Sequence, residues 1–107
     1  MNSICIKTKI KENQEYEVRA WFKALNERVE ETLESLKQEG VYIECTYLDK
    51  QADGLYLIHY MKAEDIAKAY MIFNESNLSI DHFYKTQWKR FCEGRVVLEE
   101  LLDLHTF

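Results

Sequence analysis

Two periodicities of hydrophobic residues divide the chain into predicted strands and helices. From Ile4 to Ile10 every second residue is apolar or Thr, which is the period of a strand. From Gln14 to Glu39 apolar residues recur every three or four positions, which predicts one long helix with a polar, solvated side. Val41 to Leu48 and Gly54 to Met61 then predict two strands joined as a hairpin.

The second half of the chain predicts two further helices and a last strand. The helices span Ala63 to Ser76 and Ile80 to Glu93, and the run from Arg95 to Leu104 predicts a fourth strand. Its last part, Leu98 to Leu104, also suits a short helix. The order β-α-β-β-α-(α)-β predicts an α+β, ferredoxin-like sandwich with helices on one face of an antiparallel sheet of order 4-1-3-2. We expect one domain spanning residues 1–107.

The predicted hairpin is apolar on both faces. One face carries Val41, Ile43, Cys45, Tyr47, Tyr56, Ile58 and Tyr60. The other carries Leu48, Leu55, Leu57 and Met61, with Glu44, Thr46 and His59 among them. A sheet with one solvated face should alternate apolar and polar residues. We therefore expect the face of Leu55, Leu57 and Met61 to be free of helices and to pack against a second copy, giving a homodimer.

Composition narrows the range of partners and compartments. The net charge of −5 and the pI near 5.2 disfavour nucleic acid as a partner. Cys5, Cys45 and Cys92 are too widely spaced for a disulfide framework or a zinc site, and they suit a reducing cytoplasm. No apolar run approaches the ~18 residues of a membrane span, so no membrane partner is expected.

Glu44 and His59 form the sharpest candidate pair. If the hairpin closes with Leu48 opposite Leu55, Glu44 lies directly opposite His59, with the two Cβ atoms about 5 Å apart. A carboxylate beside an imidazole in an apolar cavity can move protons. A structurally satisfied polar pair is the simpler interpretation.

Further polar residues complete a predicted pocket. Lys7 and Lys9 alternate with the isoleucines of the first strand, and with Thr46 and Glu99 they would make a charged cavity for a small anionic or carbonyl ligand. Alternatively, the two lysines extend outward into water. His82, at the start of the last helix, is a secondary candidate at the cavity mouth, although simple exposure also accounts for it. With no metal-binding, phosphate-binding or dinucleotide motif, we expect no metal and no cofactor.

Three stretches resemble the dimeric α+β barrel superfamily. They are Arg28 to Leu48, M-K-A-E-D at Met61 to Asp65, and I-D-H at Ile80 to His82. The chain resembles, more narrowly, an uncharacterised small bacterial family of that superfamily. Because the superfamily includes monooxygenases, cyclases and stress-response proteins, the resemblance implies the fold and little about activity. Its haem-degrading members use a His on the second main helix, and Ala63 to Ser76 contains none.

Two functions remain open at this point. The first is a dimeric ligand-binding or interaction module without catalysis, which the absence of a catalytic motif favours. The second is a small cofactor-free enzyme, a monooxygenase, isomerase or cyclase, acting on a small carbonyl or aromatic substrate in the barrel cavity. An enclosed cavity of several hundred Å³ lined by Glu44, His59 and Lys7 or Lys9 would favour the enzyme, and a filled core would favour the module.

Overall fold

Four strands and four helices follow one another along the chain. A computed structural model describes residues 1–107 and contains, in chain order, β1 (Asn2–Ile10), α1 (Glu15–Glu27), α2 (Val29–Glu39), β2 (Val41–Gln51), β3 (Gly54–Ala63), α3 (Ile66–Glu75), α4 (Ser79–Phe91) and β4 (Cys92–Val97). The strands pair antiparallel in the order β2-β3-β1-β4. This confirms the predicted ferredoxin-like α+β sandwich. None of the helices is both long and apolar enough to cross a bilayer.

The predicted single helix from Gln14 to Glu39 is two helices that meet at Arg28. The backbone of Arg28 leaves the helical region, with φ −113° and ψ 40°. Its side chain forms two hydrogen bonds of 2.8 Å with Glu31, lies 3.3 Å from the Ser79 hydroxyl, and stacks 5.5 Å from the centre of the Phe83 ring. The break therefore coincides with contacts that Arg28 makes to both α2 and α4, and no glycine or proline marks it in the sequence.

The face of β3 that carries Leu57 is the one that the helices cover. In the pairing of β1 with β3, Ile6 is opposite His59 and Thr8 is opposite Leu57, and paired residues point to the same side of a sheet. Leu57 is 5% exposed and packs in the core with Trp21. The expectation that Leu55, Leu57 and Met61 form a free, dimerising face is therefore wrong. They share their side with the isoleucines of β1, which the helices bury.

The opposite side of the sheet carries no helix, and we call it the free face. Its residues are Ser3, Cys5, Lys7, Lys9, Ile43, Cys45, Tyr47, Asp49, Tyr56, Ile58, Tyr60, Lys62 and Val96. Tyr47 and Val96 are both 62% exposed. Apolar and aromatic side chains therefore remain accessible over much of this face.

The chain beyond Val97 forms neither the predicted strand nor the alternative helix. Residues 98–107 are irregular and lie against one end of the free face. There Asp103 lies 2.7 Å from the ammonium of Lys62, which is almost fully buried, and Ser3 donates a hydrogen bond of 2.8 Å to Glu100. Polar contacts therefore hold this segment, while Leu101 and its other leucines stay largely exposed.

Candidate functional site

A cavity of about 600 Å³ lies between the helices and the covered side of the sheet. Its walls are mainly apolar, with members of both hydrophobic clusters among them. The polar side chains that line it are Thr8, Asn26, Thr32, Ser35, Glu39, Glu44, Thr46, His59, Tyr70, Asn74, Asp81, Tyr84, Lys85, Lys89 and Arg95. Volumes of this size, with a few converging polar groups, are typical of sites for small molecules.

Glu44 and His59 come together on the cavity wall, although not in the predicted register. The hairpin is shifted by two residues, so that Thr46 lies directly opposite His59 and Glu44 is a diagonal neighbour. Glu44 Oε1 lies 3.1 Å from His59 Nε2, and Thr46 Oγ1 lies 3.0 Å from Nδ1. The diagonal distance on one face of an antiparallel pair is within reach of a long side chain, which explains why the contact survives the shift.

Both nitrogens of the His59 ring have partners, which determines what each group can do. With a proton on Nε2, the ring donates to Glu44 and accepts at Nδ1 from the Thr46 hydroxyl. The imidazole is then fixed in orientation. Only Oε1 of Glu44 contacts it, so Oε2 can accept a proton from a ligand in the cavity. In this arrangement His59 positions Glu44, and Oε2 of Glu44 has no contact with the ring.

A second polar group joins α2, α4 and the end of α3. The carboxylate of Asp81, which is 3% exposed, accepts hydrogen bonds of 2.6 Å from Ser35 and 2.5 Å from Ser76. Ser35 Oγ also lies 3.3 Å from Glu39 Oε2. Because a hydroxyl has one proton and Ser35 donates it to Asp81, the contact with Glu39 is a hydrogen bond only when Glu39 carries a proton.

The surroundings of Glu39 keep it protonated near neutral pH. Burial raises the pKa of its carboxyl to about 8, and the charges of Glu44 and Asp81 act in the same direction. Burial likewise raises the pKa of Tyr84, so its hydroxyl remains a neutral donor at the cavity wall. The cavity thus contains a carboxyl that can give a proton, Glu39, and one that can take a proton, Glu44.

Lys7 and Lys9 do not belong to this cavity. They alternate along β1 with the residues that face it, so their side chains lie on the free face. The Lys7 ammonium there sits 4.3 Å from the centre of the Tyr56 ring. This corrects the expectation that the two lysines share a pocket with Glu44 and His59, because successive side chains of a strand point to opposite sides.

Glu99 and His82 also lie outside the cavity. Glu99 is exposed in the irregular segment after β4, and His82 is exposed in the first part of α4. Glu99 was expected in the pocket because β4 was predicted to continue through it, whereas the strand ends at Val97. Of the predicted pocket residues, the structure therefore brings together Glu44, Thr46 and His59.

The cavity also contains polar residues that the sequence did not single out. Ser35 and Glu39 are one helical turn apart near the end of α2, a spacing that places both on one side of the helix. Asp81 lies in the first turn of α4 and binds the two serine hydroxyls. No sequence motif marks these residues, because Ser35 and Asp81, which bind each other, are distant in the sequence. No group of His, Cys, Asp and Glu side chains is arranged to hold a metal ion.

Comparison with known proteins gives a family and a fold. Residues 1–107 match the model of a family of unknown function (DUF6176), and the protein belongs to that family. The structure is similar to that of L-rhamnose mutarotase FA22100 from Formosa agariphila, with 16% sequence identity and a TM-score of 0.63, covering 98% of this chain and 100% of the mutarotase. At this identity the likeness shows the ferredoxin-like fold alone. No curated protein matches the chain.

Proposed function

We propose that this member of DUF6176 is a cofactor-free isomerase that moves protons on a small hydroxylated carbonyl compound, such as an aldose, bound in the cavity. The observation that carries the proposal is the presence of two unlike carboxyls in one cavity. Glu39 is protonated near neutral pH because it is buried, whereas Glu44 is held against His59. Two carboxyls in different environments are a common arrangement for paired acid and base catalysis.

The proposed reaction interconverts the two ring forms of a cyclic hemiacetal. Glu44 takes the proton of the anomeric hydroxyl, the bond from the anomeric carbon to the ring oxygen breaks, and Glu39 gives its proton to that oxygen. The product is an open-chain aldehyde, in which the carbonyl group rotates. Closure on the opposite face returns a proton to Glu39 and takes one from Glu44, so the protein ends unchanged.

Three further groups position this chemistry. His59 donates to Glu44 and is itself fixed by Thr46, while Ser35 holds the carboxyl of Glu39. The similar structure from Formosa agariphila is that of an L-rhamnose mutarotase. Mutarotation is the interconversion of sugar anomers and needs the same two proton transfers, so it supports this reaction class over the monooxygenase and cyclase alternatives.

The competing hypothesis is a ligand-binding or interaction module without catalysis. It uses the same cavity and the same Glu44–His59 contact, which a structural pair would also form. Catalysis is favoured by the raised pKa of Glu39, since a binding wall needs hydrogen bonds but has no need of a group that titrates near pH 8.

Exchange spectroscopy by NMR separates the two hypotheses. We expect the protein to accelerate exchange between the anomers of at least one aldose in a panel that includes L-rhamnose. Glu44→Gln and Glu39→Gln should abolish the acceleration, and His82→Gln, an exposed site outside the cavity, should retain it. Ligand-induced shifts without faster exchange would indicate the binding module. If no member of the panel binds or exchanges faster, the proposed function is wrong.

We also propose that the protein is a homodimer in which two free faces pack together. The apolar and aromatic residues exposed there, Tyr47 and Val96 among them, support a second copy as the occupant. A symmetric contact of this kind leaves the cavity on the far side of each sheet accessible. The three cysteines of the chain form no disulfide, which suits the reducing cytoplasm expected from the sequence.

A further inference from the structure

We propose that the ligand of the cavity carries a carboxylate or a phosphate group, and that Arg95 binds this group at the rim. The proposal rests on the proposed function, because it names the class of substrate as sugar acids or sugar phosphates instead of neutral sugars. What points to an anion is the way in which the basic side chains of the cavity are held.

The position of Arg95 follows from the pairing of β4 with β1. Arg95 lies directly opposite Thr8, whose side chain faces the cavity, and paired residues point to the same side of a sheet. The register shifts only after this pair, between Thr8 and Ile10. Arg95 both lines the cavity and is exposed to solvent, which places it at the rim.

The Arg95 guanidinium is held by an aromatic ring and not by a carboxylate. Its central carbon lies 5.4 Å from the centre of the Tyr70 ring, and no acidic side chain lies within ion-pair distance. A guanidinium stacked on a ring is fixed in position, and most of its five N–H donors remain available for an anion. A planar fork of this kind suits the oxygens of a carboxylate or a phosphate.

Lys85 repeats this arrangement on α4. Its ammonium lies 4.9 Å from the centre of the Phe73 ring and donates to the carbonyl of Asn74 at 3.1 Å, with no carboxylate partner. The cavity also contains two carboxylates, but neither forms an ion pair with these basic side chains: Asp81 accepts hydrogen bonds from two hydroxyls, and Glu44 contacts His59. Arg95 and Lys85 are therefore charged groups with which an anion in the cavity can pair.

Different side chains of the cavity would then bind different parts of one molecule. The hydroxyl and carbonyl groups that react lie between Glu39 and Glu44, and the anionic group lies at Arg95 on the rim. Two contacts of this kind fix both position and orientation, which a proton transfer in a largely apolar cavity requires.

The test measures binding, without reference to catalysis, by titration calorimetry. The probes are matched sets with the same ring configuration: galactose, galacturonate and galactose 6-phosphate, and the corresponding glucose and mannose sets. We expect a charged member of at least one set to bind about tenfold or more tightly than its neutral partner, and this preference to weaken at high salt. A preference for the acid or for the phosphate tells which anion is recognised.

Arg95→Gln should remove this preference, and Arg95→Lys should restore part of it. The matched control is Arg90→Gln, because Arg90 also stacks on a ring, that of Phe91 at 5.3 Å, but lies outside the cavity. Circular dichroism confirms that each variant is folded.

Equal affinity for charged and neutral members in every set would overturn the inference, as would an unchanged preference in Arg95→Gln. Tight binding of a charged sugar without anomer exchange would contradict the isomerase and leave the anion site standing. Rapid anomer exchange of neutral sugars, without any preference for charged ones, would contradict the anion site and leave the isomerase standing.

Discussion

Replacing Glu39 by glutamine should stabilise the protein, and the gain should grow with pH. The pKa of Glu39 is about 8 in the folded protein, against an ordinary value of 4.5. Between these values the folded state holds a proton that the unfolded chain has released. Raising the pH therefore lowers the free energy of unfolding by up to about 1.4 kcal/mol per pH unit, and by about 3 kcal/mol in total at pH 7.

Glutamine is matched to the protonated carboxyl in size and in hydrogen bonding. Its amide can donate to Ser35 Oγ as the protonated carboxyl does, and it does not ionise. The variant should therefore equal the wild type in stability near pH 4.5 and exceed it by up to about 3 kcal/mol at pH 7. The size of this difference follows directly from the burial of Glu39 beside Glu44 and Asp81.

Urea unfolding followed by tryptophan fluorescence measures this difference at pH 5, 6, 7 and 8. Trp21 lies in the core and reports on its disruption. Taking the difference between variant and wild type at each pH removes the titration of groups that do not interact with Glu39. Glu34→Gln, at an exposed site on the same helix, is the control and should show no such trend. A stability difference between Glu39→Gln and the wild type that stays constant from pH 5 to 8 would refute the reasoning.

Three other outcomes are expected. Tyr47→Lys on the free face should give a monomer by size exclusion with light scattering, and a wild type that is itself monomeric at micromolar concentration contradicts the dimer. Asp103→Asn should loosen residues 98–107, seen as faster amide exchange, because it removes the charge that pairs with Lys62; unchanged exchange would show that the pair does not hold the segment. Trp21→Phe should lower the free energy of unfolding by less than about 2 kcal/mol, because removing a buried Nε1 donor that has no acceptor offsets part of the lost packing. A larger decrease would mean that packing dominates.

The sequence predicted the strand order because alternation and helical periodicity identify the elements, and few topologies connect them. It did not predict the hairpin register. The polar run Asp49 to Gln51 was taken for the loop, but these residues pair with β3 up to Gly54. Lys50 instead forms an ion pair of 3.1 Å with Glu15 of α1. Polar residues at the end of a hairpin can extend a strand, and that moves the register by two.

The pattern of the hairpin also did not predict which face of the sheet the helices cover. Both sides of the hairpin are apolar, so β2 and β3 alone do not show which side the helices cover. The answer comes from β1, where Ile6 shares a side with His59 and Leu57. Hydrophobic alternation determines which residues share a face, whereas the position of the helices depends on strands that are distant in the chain.

Folding stability and the proposed chemistry favour different residues at the position of Glu39. A buried carboxyl with a pKa near 8 weakens the fold at every pH above its ordinary value, and a glutamine would keep the hydrogen bond to Ser35 without that cost. A residue with a structural role alone would therefore be better as an amide. The cost is consistent with a site that needs an acid able to lose and regain its proton near neutral pH. If Glu39→Gln is more stable than the wild type and still exchanges anomers at the full rate, Glu39 is not that acid, and Tyr84 is the remaining neutral donor on the cavity wall.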